Sequence, residues 1–178
     1  MPTMGEQLTM NPPRILASLT PALLAVLAVI LTNLPVSVTA GLLPPPVLAL
    51  APIYYWVLVR PDLMPPVVVL MIGLLEDLLS GGPPGLWAAG CLAAYALADR
   101  ERDIFAGLSG AGAILGFASA AFAASTVVYV LGSLVYWRFA PLGPLLLQCV
   151  VTVIFYPLLA IAMAWLQRNF VGAYRGGV

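Results

Sequence analysis

Long runs of apolar residues without a single charge constrain this chain more than any other feature. The runs from Ile15 to Thr32 and from Gly143 to Leu166 are each close to the roughly 20 residues of helix that cross a bilayer core about 30 Å thick. Only 8% of all residues are charged and 62% are hydrophobic, whereas a water-soluble globular chain is about 25% charged. The sequence therefore predicts a polytopic membrane protein.

The sequence predicts an all-α membrane protein in a single domain that covers residues 1–178. Counting these runs gives five or six transmembrane helices, and the positions of the arginines favour six. The approximate spans are 15–32, 42–59, 63–80, 84–98, 105–136 and 143–166.

Two of the six spans need a special interpretation. The second run contains five prolines, so its first half is expected to be a surface loop. Its helix is expected to be short, to start at Val47 or at Leu42, and to be kinked at Pro52. The fifth run, from Ile104 to Trp137, is too long for one upright helix and too short for two helices with a turn. We expect one long tilted helix whose first turns lie at the membrane surface.

The positions of the arginines favour one orientation of the bundle. Cytoplasmic loops of membrane proteins carry the excess of positive charge. With six spans and both termini in the cytoplasm, only Arg138 of the seven basic residues falls outside. The cytoplasmic arginines are then Arg14, Arg60, Arg100, Arg102, Arg168 and Arg175.

Side chains that carry out chemistry are scarce in this sequence. Histidine and lysine are absent, which removes imidazole catalysis, Schiff-base chemistry and the commonest zinc ligand. Cys91 and Cys149 lie inside apolar runs and are interpreted as small buried hydrophobic residues. The net charge is zero, so no overall field attracts nucleic acid. The loops are too short for a catalytic domain, and we expect no enzymatic activity, cofactor or metal.

Two adjacent acids, Glu76 and Asp77, lie near the end of the third span, in the segment GLLEDLLSGGPPGLWA. An acid retained in a membrane usually faces protein or water, because a charge in lipid is costly. Asp77 is open to three interpretations: a structural acid that accepts hydrogen bonds from the turn between Ser80 and Gly85 or from a neighbouring helix, a contact with a partner, or a ligand or ion site. We expect Glu76 at the water interface. Adjacent helical residues point about 100° apart, which argues against a catalytic dyad.

Small residues form smooth faces on two predicted helices. Such faces let helix backbones approach closely within lipid. Either these faces pack against the protein's own helices, or one of them accepts the transmembrane helix of a partner. The residues are Gly112, Gly116, Ala120 and Ala124 on the fifth span and Gly90, Ala94 and Ala98 on the fourth.

The connector after the fourth span is rich in charge. Residues Asp99 to Asp103 alternate in sign around Arg100 and Arg102. This pattern is typical of a solvated loop, and a contact for a cytoplasmic partner is the alternative.

Taken in order, these features resemble the rod shape-determining protein MreD family. The most specific part of the resemblance is the spacing of Gly73, Asp77, Ser80, Gly81 and Gly85, followed by Ala88. Tyr55-Trp56 before Arg60-Pro61, then Tyr95, the charged connector and the basic tail around Arg168 also fit the family. The motifs cover residues 52 to 103, and the remainder resembles the family in size and hydropathy.

The resemblance implies a non-enzymatic protein of the bacterial inner (cytoplasmic) membrane that acts in peptidoglycan elongation and maintains rod shape. Such proteins associate with the bitopic protein MreC, and through it with the MreB filament, the glycosyltransferase RodA and its partner transpeptidase. The family is similar in fold to the S components of vitamin transporters, which implies a compact bundle of six helices. The resemblance thus predicts a scaffold, within the lipid bilayer, that binds the transmembrane helix of MreC.

Residue patterns and resemblance together give a set of structural or partner-contact candidates: Gly73, Asp77, Ser80, Gly81, Gly85, Gly112, Gly116, Ala120, Arg60, Arg100 and Arg102. The alternative function is a small-molecule-binding transporter subunit of the S-component type. That function needs a cavity with several convergent polar groups. Besides Asp77, the spans offer few of them, namely Asn33, Thr126, Gln148 and Thr152.

Overall fold

The computed structural model describes residues 12–34, 44–100, 102, 111–139 and 141–168. In these residues the chain is all-helical, which confirms the predicted fold class at that level. The six α-helices are α1 (Pro12–Thr32), α2 (Leu50–Val59), α3 (Pro66–Ser80), α4 (Leu86–Arg100), α5 (Ala111–Tyr136) and α6 (Leu142–Leu166). A short 3-10 helix (Pro61–Leu63) joins α2 to α3.

The ends of the helices follow the predicted spans closely, whereas some of their starts differ. Helix α2 begins at Leu50 and not at Val47 or Leu42. The prolines at 44–46 disfavour helical residues before them, which argues against a start at Leu42, and the amides of Val47 and Leu48 bond to threonines of other helices. Pro52 therefore lies in the first turn of α2, where it removes no intrahelical hydrogen bond, and the expected kink does not arise. Helix α3 begins at Pro66, since proline suits the first position of a helix.

Several sequence predictions fall on residues outside the described ranges. They include the first turns of the fifth span, at 104–110, and the acids Glu101 and Asp103 of the connector. Arg175 also lies outside these ranges. The described part of the fifth span is one helix that ends at the predicted residue, Tyr136.

Two of the described helices are long and apolar enough to cross a membrane, judged by length and composition alone. They are Gly112–Tyr136, within α5, and Leu142–Leu166, which is α6. Helices α2, α3 and α4 have 10, 15 and 15 residues, or about 15, 22 and 22 Å of helix. The bilayer core is about 30 Å thick. Helices α5 and α6 are thus the elements that indicate association with a membrane.

Two hydrogen bonds between side chains show which helix ends lie together. Asn33, just after α1, donates to Glu76 near the end of α3 at 3.0 Å. Tyr55 in α2 donates to Gln167, just after α6, at 2.6 Å. The amide of Leu48, just before α2, donates to Thr32 at the end of α1, and Gln148 in the first half of α6 donates to the carbonyl of Pro45. Helices α2 and α6 therefore start on the side where α1 and α3 end, and they end on the other.

The described arginines follow this division of the helix ends. Arg138 follows α5, on the side where α1 and α3 end. The opposite side, called the arginine-rich end below, carries the arginines that follow or end α2, α4 and α6, namely Arg60, Arg100, Arg102 and Arg168. Four of the five described arginines outside α1 therefore lie at one end of the bundle, together with Asp62 and Asp99.

Aromatic side chains fill the centre of the bundle. The rings of Phe117 and Tyr156 stack with their centroids 4.1 Å apart, and Tyr54 of α2 meets both edge-on at 5.5 and 5.8 Å. Trp56 is fully buried beside them in the same core. Aromatic pairs in such arrangements contribute about 0.5 to 1.5 kcal/mol beyond the burial of their area. Helices α2, α5 and α6 therefore meet in a filled interior.

The start of α2 is held by hydroxyl groups from two other helices. The backbone amide of Val47 donates to Thr152 Oγ1 at 3.0 Å, and that of Leu48 donates to Thr32 Oγ1 at 3.2 Å. Non-helical backbone inside a membrane protein is tolerated where protein groups satisfy its hydrogen bonds. These threonines provide such partners for the chain that enters α2.

The small-residue faces of α4 and α5 pack against each other. Ala94, Ala120 and Ala124 are each at most 1% exposed, and these two helices make the most extensive contact in the bundle. Gly90 lies directly against the backbone of Ala124 and the side chain of Val128. The protein's own helices therefore occupy these faces, as the first of the two interpretations predicts.

We expect Gly90→Ala to destabilise the bundle, although alanine is the better helix former. A Cβ at this position would lie 2.7 Å from Val128 Cγ2 and 3.3 Å from the carbonyl oxygen of Ala124, so α4 and α5 would have to separate. Overpacking of this kind costs about 1 to 3 kcal/mol. Thermal unfolding of the protein in detergent, followed by tryptophan fluorescence, measures the change.

Gly132→Ala is the matched control for this substitution. A Cβ on Gly132 would remain 3.9 Å from the nearest atoms, in Leu86. The same change should here raise the free energy of unfolding by up to about 1 kcal/mol through helix propensity. Equal effects of the two variants would contradict the close contact at Gly90.

Candidate functional site

One carboxylate holds the hairpin between α3 and α4. Asp77, in the last turn of α3, is 1% exposed. Its Oδ2 accepts hydrogen bonds from the backbone amides of Gly85 at 2.8 Å and Ala88 at 3.2 Å. Its Oδ1 accepts one from the amide of Trp87 at 2.6 Å. Both carboxyl oxygens are therefore engaged by backbone amides at the start of α4.

The amides at the start of α4 need an acceptor from elsewhere in the chain. The first turn of any helix has N–H groups without an intrahelical partner. Helix α4 begins at Leu86, so Asp77 caps it from a different helix. A carboxylate at this place is also favoured by the positive end of the helix dipole. The contact fixes the end of α3 to the start of α4.

Two glycines give the turn of this hairpin its backbone shape. Gly81 ends α3 with a φ of 69°, and Gly85 has a φ of 100°. Residues with a side chain rarely adopt this left-handed region. Ser80 is exposed, and its hydroxyl donates to the carbonyl of Asp77 at 3.3 Å. The chain can thus reverse within a few residues and bring α4 back along α3.

Gly73 has a different role in the hairpin, which is to allow close approach. A Cβ on Gly73 would collide with the backbone of Ala88. The backbones of α3 and α4 therefore touch at this point, as small residues permit between membrane helices. The glycines, the serine and the aspartate of the spaced motif all have contacts or conformations that belong to this one hairpin.

The structural interpretation of Asp77 predicts hydrogen bonds from the turn or from a neighbouring helix, and the structure contains both. Gly85 lies in the turn, and Trp87 and Ala88 belong to α4. Within the described residues, no group of three His, Cys, Asp or Glu side chains could hold a metal ion. The arrangement holds a turn in place, with both carboxyl oxygens engaged by backbone amides.

The prediction that Glu76 lies at the water interface is wrong. Its side chain is 3% exposed, and its Oε1 accepts a hydrogen bond of 3.0 Å from Asn33 Nδ2. Among the described residues, its Oε2 has no hydrogen-bond partner. Glu76 points about 100° away from Asp77 around the helix, and so faces α1 where Asp77 faces α4. Asn33 at the end of the first span was the sequence feature that could have suggested this pair.

Other polar residues of the spans bond to backbone groups. Thr152 and Gln148 of α6 bond to the chain before α2, whereas Thr126 bonds within α5. The hydroxyl of Thr152 donates to the carbonyl of Gln148 at 2.7 Å, and the amide of Gln148 donates to the carbonyl of Pro45 at 3.0 Å. The hydroxyl of Thr126 donates to the carbonyl of Phe122 at 2.8 Å. Two grooves on the described surface, of about 500 Å³ between α1 and α6 and about 480 Å³ between α1 and α3, are lined by apolar residues.

The candidates on α5 lie away from the turn of the hairpin. Gly116 and Ala120 are buried, and Gly112 is half-buried. A partner helix could reach Gly116 and Ala120 only by displacing a helix of this chain. The predicted partner-binding face is thus largely covered from within.

The candidate arginines lie near the opposite end of α3 and α4 from the turn. Arg60 donates to both carboxyl oxygens of Asp62, at 3.1 and 3.0 Å, and this hydrogen bonding lowers the pKa of the Asp62 carboxyl. Arg102 lies 3.9 Å from Asp99 in an exposed pair, and Arg100 is exposed. The structure therefore places the hairpin turn and the arginines at separate ends of the bundle.

Comparison of the chain with protein-family models, with curated proteins and with solved structures gives no match. The function is therefore inferred from the chemistry of the described residues. The hairpin holds two helices in a fixed relation and turns its carboxylate inwards.

Asp77→Asn tests the carboxylate that caps α4. The amide replaces one acceptor oxygen by an NH₂ group that faces backbone N–H, so at least one of the hydrogen bonds is lost. We expect the free energy of unfolding to fall by about 1 to 3 kcal/mol, measured by thermal unfolding in detergent. Asp99→Asn is the matched control at an exposed position, and should change it by less than about 0.5 kcal/mol. Equal losses would show that the cap is unimportant.

A double-mutant cycle tests the pair formed by Asn33 and Glu76. Asn33→Leu removes the donor to a buried carboxyl and should cost about 1 to 3 kcal/mol. Asn33→Leu combined with Glu76→Leu should recover most of this loss, because replacing both partners by apolar groups can be nearly neutral. The free energy of unfolding of both single variants and the double variant gives the coupling. Strictly additive losses would contradict the pair.

Proposed function

We propose that the chain is a non-enzymatic membrane scaffold of the cell-wall elongation machinery that maintains rod shape, as in the MreD family that its motifs resemble. It lies in the bacterial inner membrane and binds the transmembrane helix of MreC. Through MreC it acts with MreB, with RodA and with the transpeptidase that works beside RodA.

In this proposal the bundle crosses the membrane six times, with both termini in the cytoplasm. Successive helices end on opposite sides of the bundle, which supports six crossings. The arginine-rich end would face the cytoplasm by the positive-inside rule. Helices shorter than the bilayer core are completed by their flanking residues. The 3-10 helix Pro61–Leu63 after α2 and the Gly-Pro turn after α3 are such flanks.

The observation that carries the proposal is that the two acids near the end of α3 lie inside the bundle, beneath an apolar outer surface. Asp77 accepts hydrogen bonds from three backbone amides, and Glu76 accepts one from Asn33. Many large apolar side chains are exposed along the helices, such as Met71 at 62%, Ile154 at 68% and Leu158 at 66%. Such a surface suits helices and lipid tails, whereas the alternative transporter subunit needs a polar-lined cavity. The described grooves have apolar linings and favour the scaffold.

The hairpin supports the resemblance to the family in a second way. The hairpin needs these residues at their spacing. Gly73 lets α3 and α4 approach closely, Asp77 accepts hydrogen bonds from the amides at the start of α4, and the glycines at 81 and 85 adopt positive φ in the turn. A chain with a different spacing would leave the amides of α4 without an acceptor. The motif therefore specifies the backbone conformation of the α3–α4 hairpin, which suits a protein that acts through its shape.

We place the MreC helix in the groove between α1 and α3. Ala22 and Val26 form one wall of this groove, and α3 residues from Val67 to Leu78 form the other. The groove follows α3 from Val67 to Leu78, and Ala22 on α1 gives a partner room to approach. Helix association within lipid depends on packing of this kind, because burial from water contributes little there. The small-residue face of α5 is already occupied by α4.

A photo-crosslinking residue at Met71 is expected to join the protein to MreC in cells. Met71 lines this groove and is 62% exposed. The same residue at Ile154, which is 68% exposed on α6 and outside both grooves, is the matched control. Immunoblotting of the cross-linked products measures both. Cross-links from Ile154 alone would refute this docking face, and failure of the unsubstituted protein to co-purify with MreC would refute the scaffold itself.

A further inference from the structure

The groove between α1 and α6 lies over the start of α2. Leu27 and Leu31 form its α1 wall, Leu158 and Ala162 form its α6 wall, and the buried Pro52 contributes from α2. Its volume is about 500 Å³, and no polar side chain lines it. An occupant of this groove must therefore be a hydrocarbon or an apolar helix.

The length of the groove suits a hydrocarbon chain. On α6 it extends from Leu158 to Leu166, which is about 12 Å of helix. Half of a bilayer core is about 15 Å. On the side away from the arginine-rich end the groove stops at Leu48, where Thr32 binds the amide of that residue. The groove thus matches the tail of one lipid leaflet.

A positively charged side chain, Arg168, lies at the arginine-rich end of the groove. Arg168 follows the groove residues Ile161 and Trp165 by seven and three positions, and so lies on the same side of α6. It is exposed and makes no salt bridge to any residue that the structure describes. Trp165, 60% exposed, suits the interface between headgroups and tails.

Polar groups accompany this cation at the mouth of the groove. The hydroxyl of Tyr55 donates to Gln167, the residue before Arg168, at 2.6 Å. A phosphate beside Arg168 would therefore meet a positive charge next to hydrogen-bonding side chains. The apolar groove and its basic mouth have the two-part chemistry of a phospholipid.

We propose that this groove binds one acyl chain of an anionic glycerophospholipid from the cytoplasmic leaflet, with the lipid phosphate beside Arg168. The inference rests on the membrane placement in the proposed function and is independent of the scaffold role. The lipid would fill the space between α1 and α6 and so complete the bundle on that side.

Native mass spectrometry of the full chain in detergent tests the headgroup contact. The protein is incubated with phosphatidylglycerol or with phosphatidylcholine of the same acyl chains. We expect one phosphatidylglycerol per chain, retained about fivefold more than phosphatidylcholine, which is the preference that one arginine near the headgroups gives. Arg168→Gln should reduce the ratio to about one without altering the packing, and Arg138→Gln, at the opposite end, should leave it unchanged. Equal retention of both lipids by the unsubstituted protein would overturn the proposal.

A second variant tests the place of the acyl chain. Ala162→Trp puts a large side chain into the groove and should lower phosphatidylglycerol retention about tenfold, the equivalent of about 1.4 kcal/mol. Ala96→Trp, at an exposed position on α4, is the matched control and should retain the lipid. Unchanged retention by Ala162→Trp would overturn the site, and so would cross-linking of MreC from a photoreactive residue at position 162.

The two proposals fail in different ways in these experiments. Capture of MreC is measured on the same preparations. If the protein retains phosphatidylglycerol but does not capture MreC, the scaffold proposal is refuted and the lipid site is supported. Capture of MreC without selective retention of phosphatidylglycerol removes the lipid site and supports the scaffold.

Discussion

Backbone amides without acceptors are among the costliest groups that a helix start can bury, and α4 depends on one side chain to bind them. Asp77 engages the amides of Gly85, Trp87 and Ala88. The cap fixes where α4 starts relative to α3, and the close approach at Gly73 fixes how far apart they run. Helix α4 in turn contacts α2 and α5 as well as α3. Much of the bundle is therefore positioned by a turn of a few residues.

The sequence predicts the elements of this fold better than it predicts their contacts. The helix ends are predictable because glycine, proline and charged residues follow the apolar runs, and the cap by Asp77 is foreseeable from its position one turn before Gly81. Glu76 is different, because its surroundings depend on which helix packs beside α3, and apolar periodicity does not identify that neighbour. The start of α2 is missed for the same reason, since Thr32 and Thr152, which hold it, are distant in sequence.

Helix α1 connects the features that the two proposals use. It contributes a wall to the α1–α3 groove and a wall to the α1–α6 groove. Its end is joined to α3 through Asn33 and to the chain before α2 through Thr32. A partner on one side of α1 and a lipid on the other would therefore touch the same helix.

The unequal lengths of the helices have a consequence for the lipid around the protein. Helix α6 has 25 residues and α3 has 15, which is a difference of about 15 Å along the helix axis. In the proposed membrane placement, α6 would have to tilt or the lipid beside it would have to thicken relative to the lipid beside α3, because hydrophobic mismatch costs a fraction of a kcal/mol per Å. A thickness gradient of this kind would favour neighbouring proteins whose apolar belts slope in the same direction.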